Sequence, residues 1–109
     1  MQTMIERLEA MLAAGRDNTL LRYSLGKACA EQGRFDDACG HLRAALAFDP
    51  GYSVAWKWLG KALLARGEPD QARAAWESGM AAAQARGDQQ VVKELRVFLR
   101  RLDRPAGQA

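Results

Sequence analysis

The sequence predicts an all-α repeat protein, with six helices stacked as antiparallel pairs in a solenoid. Three observations carry this. First, residues 19–52 and 53–86 write one pattern twice at a spacing of 34: Leu25-Gly26 recurs as Leu59-Gly60, Gly33 as Gly67, Ala38 as Ala72, and Leu42 is answered by Trp76. A period near 34 is that of a helix-turn-helix unit, which buries its apolar side by stacking on a neighbour. Second, glycines at 15, 33, 67 and 87 each follow a segment with apolar residues at helical spacing, the position of a helix stop. Third, only three prolines occur in 109 residues, and the many alanines favour helix.

Each element follows from local chemistry. Thr3-x-x-Glu6 reads as a capping box. Met4, Ile5, Leu8, Met11 and Leu12 then recur at helical spacing up to Gly15, which predicts an N-terminal helix over 3–14. Asn18 is placed to cap a second helix that runs to Gln32. Phe35 and Asp36 open a third, ending near Phe48 before the turn Asp49-Pro50-Gly51. Ser53 begins a fourth, which ends at Gly67. Pro69 suits the first turn of a fifth, where its missing N–H costs nothing. No proline interrupts that helix before Arg86. Asp88 can cap a sixth over 88–103, with Val91, Val92, Leu95, Phe98, Leu99 and Leu102 on one side. Pro105 stops it, and Ala106–Ala109 reads as a frayed tail. All of 1–109 is expected to be one domain.

These residues resemble the tetratricopeptide repeat (TPR) family, whose first helix carries Trp, Leu-Gly and Tyr, and whose second carries Ala, an aromatic, Ala and Pro. The first copy reads Arg22, Leu25-Gly26, Cys29, Ala38, Leu42, Ala45, Pro50; the second reads Trp56, Leu59-Gly60, Leu63, Ala72, Trp76, Gly79, Gln84. The resemblance implies a right-handed TPR-type solenoid. The small residues then have a packing reason: Gly26 and Gly60 let the two helices of a pair approach, and Ala38 and Ala72 face them. Trp56 and Trp76 are expected to fill the volume between helices, with Gly79 making room for a large neighbour such as Trp76. About three repeats are usually needed for stability, so the first and sixth helices are expected to cover the two open ends.

Composition narrows the function. With 49% of residues hydrophobic, disorder is not expected. The net charge of +3 sits wholly in residues 86–104, six basic against three acidic, while ten basic and ten acidic residues balance before them. No apolar run approaches the about 18 residues of a membrane span, and Met1–Glu6 does not open like a secretory leader. Cys29 and Cys39 form no CxxC and fall on inward helix sides, so two buried free thiols in a reducing cytoplasm are expected. The richness in Ala, Arg and Gly suggests a bacterial chain.

No catalytic constellation emerges. The single histidine, His41, is expected on the outer surface as a solvated residue, with no metal-ligand partner at a suitable spacing. Arg86-Gly87-Asp88 matches an adhesive tripeptide but reads as helix end, stop and cap. No enzyme activity and no cofactor or metal are therefore expected.

In the TPR family partners lie along the concave groove lined by the first helix of each pair. The resemblance places Leu20, Tyr23, Lys27, Ala30 and Glu31 there from the first copy, and Val54, Lys57, Trp58, Lys61, Leu64 and Ala65 from the second. Lys57 and Lys61 are four apart and share a helix face, and Tyr23 and Trp58 are aromatic anchors of the kind enriched at binding hot spots. The carboxylate clamp of chaperone cofactors is not reproduced: Lys27 stands for its Asn, Tyr23 for its Lys and Trp58 for its second Asn. The expected function is a non-enzymatic protein-binding scaffold that takes a peptide or helix, of acidic character, in this groove. Self-association through a terminal helix is the alternative. Nucleic-acid contact through Lys93, Arg96, Arg100, Arg101 and Arg104 ranks behind both, since no aromatic on that helix is available for stacking.

Overall fold

A computed structural model describes residues 1–104, which form six α-helices and no strand: α1 (Met4–Ala13), α2 (Thr19–Glu31), α3 (Phe35–Phe48), α4 (Ser53–Ala65), α5 (Pro69–Arg86) and α6 (Gln89–Leu102). The expected stop at Pro105 and the tail 106–109 lie outside the described residues. The helix starts follow the sequence. The Thr3 hydroxyl accepts the Glu6 N–H at 3.1 Å while the Thr3 N–H donates to Glu6 Oε1 at 3.3 Å, closing the capping box. Asn18 Oδ1 accepts the Leu21 N–H at 2.8 Å, and Asp88 Oδ1 accepts the Val91 N–H at 3.4 Å. Gly87 ends α5 at φ +73°, a left-handed conformation that a Cβ would strain.

Three-residue connections, 32–34 and 66–68, fold α3 back on α2 and α5 back on α4. Within each pair a glycine sets the distance. A Cβ built on Gly26 would lie 2.5 Å from Leu42 Cγ, and one on Gly60 would overlap the Trp76 indole. Trp76 cannot retreat easily. Its Nε1–H donates to the Lys57 carbonyl at 3.0 Å, and its ring lies 5.2 Å from that of Phe98 on α6. Leu25, Ala38, Leu42, Ala45, Ala72, Leu95 and both cysteines are buried around these contacts. Burial raises the Cys29 thiol above its usual range.

The pairs stack through α3 on α4 and α5 on α6. On one side α2 also meets α4, and α4 meets α6, whereas the backbones of α3 and α5 stay apart and are linked by the Arg43–Gln71 side-chain hydrogen bond at 3.5 Å. The first helices are thus closer together than the second, and the stack bends toward them, as in other helical solenoids. α6 takes the place of the first helix of a third pair, and α1, packed on α2 alone, that of the second helix of a preceding one.

Three expectations need correction. Gly79 makes room for Trp56, not Trp76: a Cβ there would lie 2.6 Å from Trp56 Cβ and 3.0 Å from Leu95 Cδ1. Trp56 does not fill the interior as Trp76 does. It is half-buried, and its Nε1–H donates to the Pro50 carbonyl at 2.8 Å in the preceding loop. Arg22, its counterpart in the first copy, reaches back likewise, bonding both Asp17 carboxylate oxygens at 2.8 and 3.0 Å. This places the third guanidinium nitrogen 3.1 Å from His41 Nδ1 on α3. His41 is therefore half-buried against Arg22 and not a freely solvated residue. Guanidinium has no acceptor, so Nδ1 accepts and the proton of the neutral ring sits on Nε2.

The junction between repeats is also tied by charge. Arg86 grips the Asp49 carboxylate with two hydrogen bonds, 2.6 and 2.9 Å, across the loop before α4. The Ser53 hydroxyl donates to Asp88 Oδ2 at 2.9 Å. Arg86, Gly87 and Asp88 thus serve as anchor, stop and cap.

Two outcomes follow from these contacts. Gly60→Ala gains about 1 kcal/mol of helix propensity but forces a Cβ into the Trp76 indole, a strain of typically about 1–3 kcal/mol. A lower urea midpoint is expected; an unchanged or raised one would show that Trp76 yields. His41 is held below the usual histidine range, first by burial and then by the Arg22 charge, so the unfolded chain takes up its proton before the folded one does. Its contribution is complete above about pH 6.5, the ordinary histidine pKa, and is lost as pH falls through the lowered folded value. As His41 is the sole histidine, the melting temperature should begin to fall as pH drops below about 6.5, and His41→Gln should flatten that fall in a calorimetric pH series.

Candidate functional site

The inner side of the bend is built by α2, α4 and α6, and the groove residues expected from α2 and α4 are brought onto it beside one another. Helical spacing puts Leu20, Tyr23 and Lys27 on one stripe of α2, and Val54, Lys57, Trp58 and Lys61 on one stripe of α4. At its centre is Trp58, half-buried, with three lysine ammoniums around its ring: Lys61 Nζ lies 4.3 Å from the centroid, Lys27 Nζ 5.7 Å and Lys57 Nζ 5.9 Å. All three are within the about 6 Å reach of a cation–π attraction. Three like charges converge here because the ring quadrupole offsets part of their repulsion.

The three lysines are not equivalent. Lys57 is 15% exposed and donates to both Glu94 carboxylate oxygens, at 3.1 and 3.3 Å. Its charge is spent on joining α4 to α6. The expectation that Lys57 and Lys61 present their charges together is therefore corrected. Lys61 is exposed, and neither it nor Lys27 meets a carboxylate within ion-pair distance among the described residues.

The remaining residues frame this centre. The Tyr23 ring lies 5.3 Å from that of Tyr52, tilted by 60°, and burial raises its phenol above the usual range, with Tyr52 adding to the rise. Val54 and Ala30 are half-buried, and Glu31 and Ala65 are exposed. Leu20, at 63% exposed, and Leu64, at 42%, are apolar side chains open to solvent at opposite ends of the face. Beneath α4, the Trp76 bond to the Lys57 carbonyl fixes the backbone that carries Lys57, Trp58 and Lys61.

Sequence reasoning missed the share of α6. Glu94, Phe98, Arg101 and Leu102 complete the face, and between α4 and α6 lies a cleft of about 400 Å³ lined by Lys61, Leu64, Ala65, Trp76, Phe98, Arg101 and Leu102. α6 carries no Leu-Gly pair and no early aromatic, so nothing in its residues announces a third first-helix. The one available signal was its position, a capped helix directly after a complete second repeat.

Comparison with known proteins agrees with this architecture. Two family profiles, both described as Tetratricopeptide repeat, match residues 30–95 and 5–53. The chain is 52% identical over 101 residues to the TPR repeat-containing protein PA0015 of Pseudomonas aeruginosa, covering 93% of this chain and 96% of that one. It is 70% identical to protein BPP2914 of Bordetella parapertussis, whose solution structure superposes with a TM-score of 0.83 over 94% of this chain and 89% of the other. Both relatives are small bacterial proteins, and with the doubled 34-residue pattern and the observed helix pairs they show that this chain belongs to the tetratricopeptide repeat family.

Proposed function

We propose that the protein is a non-enzymatic, cytoplasmic interaction module that binds an acidic peptide or helix of a partner protein on the face of α2, α4 and α6. Tetratricopeptide repeats generally mediate protein–protein interaction, which supports the class. The observation that carries the finer reading is the lysine-ringed Trp58, with Lys27 and Lys61 lacking an acidic partner among the described residues. A carboxylate arriving there gains two ammoniums already held in place, and the half-buried indole offers an apolar surface beside them. In this reading Tyr23, Val54 and Trp58 supply contact area, Leu20 an apolar edge, and Lys27 and Lys61 charge. Lys57 acts through Glu94 by positioning α4 against α6. The two buried free thiols suit a reducing compartment.

The test begins with capture of a partner from cell extract on the immobilised protein, followed by affinity measurement with the purified pair. Lys27→Glu with Lys61→Glu should weaken binding at least about tenfold, a charge reversal at complementary groups. Stability should change by no more than about 0.5 kcal/mol, the usual range for surface positions. Trp58→Ala should cost about 1 kcal/mol or more of binding. Affinity untouched by all three would move the interaction to another face.

A further inference from the structure

The cleft between α4 and α6 is a second feature of this face. Its floor is the buried Trp76 and the half-buried Phe98, its sides are Leu64 and Leu102, and cations stand on opposite walls, Lys61 from α4 and Arg101 from α6. The volume of about 400 Å³ lies toward the lower end of small-ligand sites, about 300–1,000 Å³. It suits one bulky side chain and its backbone. An apolar cavity bracketed by two positive charges is complementary to an apolar group bracketed by negative ones.

The nearby acidic groups do not neutralise these cations. Glu94 is taken by Lys57 and Asp103 by Arg73, and neither Lys61 nor Arg101 forms an ion pair among the described residues. Lys61 also links the cleft to the centre of the face, since its Nζ is 4.3 Å from the Trp58 centroid and 5.6 Å from that of Phe98. We propose that this cleft takes a bulky apolar side chain of an extended partner segment, with the acidic residues on either side of it held by Arg101 and by the Lys61–Lys27 pair. This rests on the peptide-binding reading above and names the sequence type that it selects.

Three observations favour such a segment over other occupants. Unpaired cations on three helices, Lys27, Lys61 and Arg101, call for more than the single carboxylate of a chain terminus or a fatty acid. The continuity from cleft to Trp58 through Lys61 calls for an occupant that extends along the face. A second copy of the chain does not supply the motif from its exposed aromatic: Phe48, 53% exposed, is followed by Asp49, whose carboxylate is already held by Arg86.

The test is a nuclear magnetic resonance titration of the full chain with an acetylated, amidated peptide of two aspartates, one phenylalanine and two aspartates. The proposal expects shifts of the Leu64 and Leu102 methyls together with the Trp58 indole N–H. It expects affinity to drop at least about tenfold when alanine replaces the peptide's phenylalanine, the loss of a buried aromatic contact. Arg101→Glu, and separately Ala65→Leu to fill the cleft from an exposed position, should each weaken the peptide to a similar degree. Shifts at Trp58 without shifts at Leu64 and Leu102 would overturn the cleft proposal and leave the wider face reading standing. Equal shifts from decanoate at the same concentration would overturn it in favour of a small amphiphile. No shift at millimolar peptide would overturn it as well, while the captured partner and the lysine variants judge the wider reading independently.

Discussion

The structure depends on how closely the two helices of a pair can approach. At Gly26 against Leu42, and at Gly60 against Trp76, no Cβ fits between the backbone of the first helix and the side chain of the second. Interiors are packed to crystal-like density, so this contact fixes the separation of each pair within narrow limits. Its repetition at a spacing of 34 makes the two pairs alike enough to stack. In the second pair the same contact reaches further, because Trp76 both bonds the α4 backbone and supports Phe98 of α6. The indole that sets the pair distance is therefore also the base of the cleft on the inner face.

From that packing the properties of the face follow. The first helices lie closer together than the second, so their exposed side chains converge while those on the outside spread. Convergence brings Lys27 of α2 and Lys57 and Lys61 of α4 around one indole, and brings Glu94 of α6 within reach of Lys57. This ion pair is half-buried, so the cost of desolvating both groups offsets much of their attraction and its net stabilisation is small. Its larger effect is to settle which charges stay available: Lys57 is occupied, and Lys61, Lys27 and Arg101 are left. A solenoid end that serves only to shield the core needs a polar outer surface and nothing more. α6 meets that need and in addition supplies half the walls of a cleft.

Much of this was legible in the sequence, because the signals are local or periodic. Thr3, Asn18 and Asp88 announce helix starts through caps made within three residues, and Gly87 ends a helix through its own backbone. Leu-Gly at a fixed spacing announces the pairs. What escaped depends on residues far apart in the chain with no repeated partner. Lys57 and Glu94 are 37 residues apart, and no property of either marks the other. By size alone Trp76 and Trp56 are equally plausible neighbours of Gly79, and only the packing of α5 on α4 selects Trp56. Helical position alone puts His41 in solvent and cannot register that Arg22, standing where the family carries Trp, turns its guanidinium toward the α2–α3 contact. The cleft was invisible because α6 lacks the motif that identified α2 and α4 as face-forming helices.

The central claim is that α6 is an integral member of the stack, held by Leu95, Phe98 and the Lys57–Glu94 and Ser53–Asp88 ties, and not an appended arm. Native-state amide hydrogen exchange on the full chain tests it most directly, because exchange reports the opening free energy of each segment. The account predicts that the amides around Leu95 in α6 open together with those of α4 and α5, at one shared free energy and one denaturant dependence. Exchange of the α6 amides near unprotected rates, with α2–α5 remaining protected, would contradict it and remove the helix on which the cleft and half of the face are built.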